Sequence, residues 1–122
     1  MAITPFADSP RNGAWGDRPY AIIDLAGPAS YTVVTTGTPP TGGQAVTPAT
    51  FGLTTGLEGV FMVGGSDNGQ YIVQAFQATS YNQGLGNPTW IIQWIVAATG
   101  AEVTGSTNLS SRTVRLIGFG PY

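Results

Sequence analysis

The stretch 89–96, "TWIIQWIV", decides how this chain is read. As a strand it places Trp90, Ile92, Trp94 and Val96 on one side and Thr89, Ile91, Gln93 and Ile95 on the other. A sheet with one wet face alternates apolar and polar residues; here both faces are largely apolar. A helix is the rival, with Asn87 as N-cap, Pro88 in the first turn and Gly100 beyond the end. From Thr89 to Val96, however, the run holds only β-branched and aromatic residues plus one Gln. Such side chains lose freedom against a helical turn and pack well on a pleat, so the stretch is expected to be a strand. The question is what covers its second face.

Working outward, further strands are expected at 20–25, 31–36, 57–63, 70–79 and 112–119, with a short one near Val103. Gly27-Pro28, "GGSDNG" at 64–69 and "SYNQGLGNP" at 80–88 punctuate them. Asn68-Gly69 suits a tight reversal, so 57–63 and 70–79 are expected to form a hairpin. Residues 37–50, with adjacent prolines and three glycines, are expected to be a long loop without a central strand. The pattern predicts an all-β fold. It would be an antiparallel sandwich or small, jelly-roll-like barrel of six to eight short strands, with no convincing helix.

The domain reading is an extended N-terminal arm over 1–19, carrying Pro5, Pro10 and Pro19, then a single β domain over 20–122. Phe6 and Trp15 in the arm are large enough to demand burial. At 122 residues and 12.6 kDa, area scaling gives roughly 6,000 Å² exposed when folded, against roughly 18,000 Å² for the unfolded chain. That suffices for an independent core without disulfides.

Only 8% of residues are charged, against a usual share of about 25%. The cations are Arg11, Arg18, Arg112 and Arg115, and the net charge is −2, so no basic patch exists to neutralise phosphates. With no Cys, His or Lys, thiol, imidazole and amine catalysis and Cys/His zinc sites are excluded. The six carboxylates are scattered one per segment, unlike a glycosidase pair. "SDNGQ" lacks the acids of a calcium loop. No apolar run is long enough for a membrane helix, and "MAITPFADSP" lacks the features of a signal peptide. The expectation is therefore a non-enzymatic protein without cofactor or metal, binding neither nucleic acid nor membrane. Its neutral polar surface suits contact with protein.

The runs "TPATFGLTTGLEGV" (47–60), the Gly/Ser/Asp/Asn reversal at 64–69, "VAATGAEVTGSTNLS" (96–110) and the closing apolar strand resemble, in style and layout over about residues 20–119, the small β-rich head proteins of tailed bacteriophages. Capsid decoration, or cement, proteins are the nearest likeness; phage tail, adaptor and fibre domains share the same composition. The resemblance implies a virion structural protein on the outer capsid surface, made in the host cytoplasm. It would be bound to the major capsid protein and often trimeric at local threefold axes. The second apolar face of 89–96 would then meet a sister subunit or the capsid; within one chain, a second sheet or the 37–50 loop would cover it instead. The candidate interface residues are Phe6, Arg11, Trp15, Arg18, Trp90 and Trp94, the arm being ordered mainly by its partner. The alternative is a receptor- or carbohydrate-binding β domain of a fibre or tail.

Overall fold

The computed structural model describes residues 3–5, 12–15, 18–37, 40–53, 56–63, 69–78 and 89–120; for Ile3–Pro5, Asn12–Trp15 and Arg18 it describes the backbone alone. Among the described residues eight strands are formed: β1 (Ile3–Pro5), β2 (Asn12–Trp15), β3 (Arg18–Ala26), β4 (Gln44–Val46), β5 (Gly59–Met62), β6 (Tyr71–Gln77), β7 (Trp90–Val96) and β8 (Thr113–Phe119). They make two antiparallel sheets. One runs β1-β3-β8-β5, with β2 also on β3; the other runs β4-β7-β6. The sheets do not close into a barrel, so the fold is a β-sandwich.

Alternation builds each layer. In β3, Ala21, Ile23 and Leu25 enter the core, and their register partners in β8 are Gly118, Leu116 and Val114. From the facing sheet come Val46, Ile92 and Trp94, and the connections add Tyr31, Phe51, Leu57, Val103 and Leu109. The total accessible surface is 6405 Å², close to the value expected from mass. Among the described residues no helix is long and apolar enough to cross a membrane.

The stretch 89–96 is the central strand of the smaller sheet. Ile92 and Trp94 are fully buried on its inner side, with Trp90 and Val96 packed against the core at either end. Its outer side is partly covered from within the chain. Ile91 is buried although it stands apart from the core. A Cβ on Gly43 would lie 3.2 Å from Val34 Cγ2 and 3.4 Å from Ile91 Cβ, so these three residues are in contact order over the sheet. A second sheet thus covers one face, and the 31–43 connection covers part of the other.

That connection corrects two expectations. Residues 31–36 are not a strand; they hold one isolated bridge, Thr35 to Thr41. Their backbone groups are taken by scattered partners instead. Tyr31 bonds Thr107 and Ser106, Thr32 O accepts from Gly43, and Val34 N–H donates to the Glu102 carboxylate at 2.7 Å. The 37–50 segment is not wholly loop. It contains β4, an edge strand, and a 3-10 turn at Pro48–Phe51 that places Phe51 in the core. The expected hairpin between 57–63 and 70–79 also fails. β5 pairs with β8 (Phe61 opposite Ile117), while β6 pairs with β7 in the other sheet. The reversal crosses between layers, because the core-facing stripe of β6 matches that of β7. The tip itself, 64–68, and the whole 80–88 loop lie outside the described residues. A short extended piece near Val103 is present: Ile95 bridges Glu102, and Val103 N–H donates to Trp94 O at 2.9 Å.

The extended geometry of 1–19 is seen at β1 and β2. Both pair with β3 of the same chain, β1 against Ile23–Leu25 and β2 against Arg18–Ala21. These backbone partners are intramolecular, as for a segment folded back on its own sheet.

Gly118 lies in β8 beneath Phe51, where an added Cβ would come within 2.7 Å of the ring. Overpacking of this kind costs roughly 1–3 kcal/mol. Gly118→Ala is therefore expected to lower the thermal midpoint by several degrees. Gly105→Ala, whose Cβ would meet nothing closer than 3.9 Å, should leave it nearly unchanged. Equal midpoints would show that the Phe51 ring yields at no cost.

Candidate interaction surfaces

Trp94 is the largest fully buried side chain, and its polar atoms are matched one by one. Its indole N–H donates to Gln44 Oε1 at 2.9 Å, and Gln44 Nε2 donates to the carbonyl of Ala26, in the other sheet, at 2.7 Å. The backbone N–H of Trp94 donates to the Tyr31 hydroxyl at 3.1 Å. That hydroxyl donates in turn to Glu102 Oε2 at 2.7 Å. The Trp94 ring meets Tyr71 edge to face at 5.8 Å, and the Arg112 guanidinium sits 5.9 Å from the Tyr71 ring centre.

This placement corrects the reading of Trp94 as an interface residue: it has no open surface to offer. Trp90 is half-buried on the same face, its indole N–H donated to Leu57 O at 2.9 Å. It too faces the core. Trp15 and Arg18 stand opposite each other where β2 returns into β3. Phe6 and Arg11 lie outside the described residues. Of the six, the side chains described are those of Trp90 and Trp94, and both face the core.

The outward surfaces that the sequence reading missed belong to the sheets. On the five-stranded sheet, Tyr20 is opposite Phe119, Ile22 opposite Ile117, and Phe61 opposite Ile117 on the far side. Phe61 is 49% exposed and meets Phe119 edge to face at 6.4 Å. The adjoining pair is Asp24–Arg115, joined twice: Nε to Oδ1 at 2.9 Å and Nη2 to Oδ2 at 3.2 Å. Such a surface pair contributes little stability; its effect is to cancel charge, leaving a neutral face rich in aromatic and aliphatic groups. Period-two alternation of "YAIID" with "RLIGF" was the available signal, since apolar residues occupy both phases.

The smaller sheet has a second outward surface. Ile72, Gln74 and Phe76 of β6 stand opposite Ile95, Gln93 and Ile91 of β7, with Ile72 at 41% exposure. Among the described residues no cluster of carboxylates, histidines or cysteines could hold a metal ion. No family model, curated protein or solved structure matches this chain.

Burial and the hydrogen bond to Glu102 raise the proton affinity of the Tyr31 hydroxyl well above its ordinary value. The unfolded chain releases that proton near pH 10, roughly the free tyrosine value, while the folded chain retains it. Stability from this group is complete below that pH and is lost as pH rises above it. The urea midpoint should therefore fall more steeply above roughly pH 10 for the native chain than for Tyr31→Phe. Parallel declines would contradict this role for Tyr31.

Proposed function

We propose that this chain is a capsid decoration protein of a tailed-phage head, binding the outer shell surface and joining neighbouring major capsid subunits without catalysis. The observation that carries this reading is the apolar face of the five-stranded sheet, formed by Tyr20, Ile22, Phe61 and Phe119 around the buried Ile117. A largely aromatic and aliphatic face on which Asp24 and Arg115 compensate each other is inexpensive to desolvate. Aromatic residues also dominate the energetics of protein interfaces. The sandwich behind the face rests on its own buried core, as a clamp under tension requires. The charge-poor composition and the resemblance in layout support the same reading. Phe61, half-exposed on the edge strand β5, is the expected anchor.

The test uses the chain and the heads assembled from the major capsid protein of the same genome. The chain should co-sediment with heads and raise their thermal disruption temperature. Phe61→Asp should fold with a midpoint within a few degrees of the native chain and bind at least about tenfold more weakly, the loss of one interface anchor. Unchanged binding of Phe61→Asp would remove this face from the contact. Binding to a glycan panel with no affinity for heads would replace the reading with a receptor- or carbohydrate-binding domain.

A further inference from the structure

Each sheet of this sandwich ends in edge strands, and the edges are not alike. β1 has three residues and ends in Pro5; β2 has four. β4 has three, with Pro48 two residues beyond it. β5 has four and follows Glu58. Shortness, proline and adjacent charge are the means by which sheets avoid unwanted pairing. β6 has none of them. It is seven residues long, "YIVQAFQ", without proline, glycine or charge.

The direction of its backbone groups follows from the ends of the β6–β7 ladder. Ala97 N–H donates to Gln70 O, and Ala78 N–H donates to Thr89 O. Both bonds join residues in the same register as Tyr71 opposite Val96. In an antiparallel ladder the bonded and non-bonded pairs alternate. Ile72, Gln74 and Phe76 therefore bond to β7, while the N–H and C=O groups of Val73, Ala75 and Gln77 point to the opposite edge. Among the described residues no strand pairs with that edge.

We propose that this edge of β6 pairs antiparallel with β6 of a second copy, about a twofold axis at Gln74, joining two three-stranded sheets into one of six strands. A second copy is favoured because the edge is self-complementary. Centring the axis on Gln74 sets Val73 opposite Ala75 of the second copy, and both are bonding positions on the free edge. Any shift by one residue would pair bonding with non-bonding positions. The same register sets Ile72 opposite Phe76 of the second copy on the outer surface, covering the exposed Ile72 side chain. Gln74 meets Gln74 of the second copy, where two neutral amides can bond each other and no like charges meet. A twofold contact of this kind differs from the threefold clustering that the resemblance implies, and it stands independently of the proposed function.

The test is light scattering with amide hydrogen exchange on the full chain. The mass should rise from one chain to two between roughly 1 µM and 1 mM, as expected for a contact below standard interface size. Over that range the amides of Val73, Ala75 and Gln77 should slow by roughly tenfold or more, while those of Ile72, Gln74 and Phe76 stay protected throughout. Gln74→Lys and Gln74→Glu should each remain monomeric, and an equimolar mixture should recover the two-chain mass. A monomer at every concentration, a trimer, or a two-chain species whose Val73 and Ala75 amides still exchange fast would overturn the proposal, as would pairing of Gln74→Lys at native strength. The exchange pattern of the unaltered chain decides the matter even where a variant fails to fold.

Discussion

A tryptophan at the centre of a small sandwich must place its indole N–H somewhere, and here it falls to Gln44. The bond from Trp94 to Gln44, continued from Gln44 to the Ala26 carbonyl, is a buried polar tie between the two sheets. Gln44 is the buried polar side chain among the described core residues. Without it the ring would leave a donor unmatched in an apolar interior, at a cost of roughly 1–3 kcal/mol, and the Ala26 carbonyl would be stranded as well. The tie also selects geometry. Gln44 reaches both partners because β4 sits beside β7 with Gln44 opposite Ile92. A slip of one residue would turn Gln44 outward. β4 is too short to hold its register by ladder bonds alone, so the side chain does so.

Around this tie Glu102, Asp24 and Arg115 find their partners within the chain. Glu102, one of six acids, accepts from Tyr31 and Val34 and pins the 31–36 segment across the end of β7. Asp24 and Arg115 compensate each other on the outer sheet face. Among the described residues the outward groups include Phe61 and Phe119 on one sheet and Ile72, Gln74 and Phe76 on the other. The same economy of charge that lets small sheets stack also removes the repulsion that keeps many proteins apart.

Much of the fold was legible. The strands β3, β5, β6, β7 and β8 follow from β-branched and aromatic runs between Gly, Pro and Asn turns, and the strand reading of 89–96 holds. The misses have a common cause. Residues 31–36 carry the composition of a strand, yet their partners are Glu102, Gly43 and residues 106–107, distances along the chain that no local pattern encodes. The reversal at 64–69 was visible, but a turn signal does not say whether the chain stays in its sheet or crosses to the other layer. Trp94 was assigned outward because two apolar faces were visible on β7, and composition cannot rank them. Gln44, a lone amide between glycine and alanine, gave no sign that it would answer the indole. The aromatic face around Phe61 was visible only as apolar residues in both phases of two strands.

The most direct test of this account is a double-mutant cycle between Gln44→Leu and Trp94→Phe, followed by urea unfolding. Each single change should be strongly destabilising, the first because it orphans the indole N–H and the Ala26 carbonyl, the second because it orphans the Gln44 carbonyl and opens space in the core. Since the double variant removes both members of the buried bond, its cost should fall short of the sum by about 1–3 kcal/mol, the coupling expected of groups in direct contact. Additive costs would contradict the claim that the buried indole depends on Gln44, the side chain that carries the tie on to the Ala26 carbonyl of the other sheet.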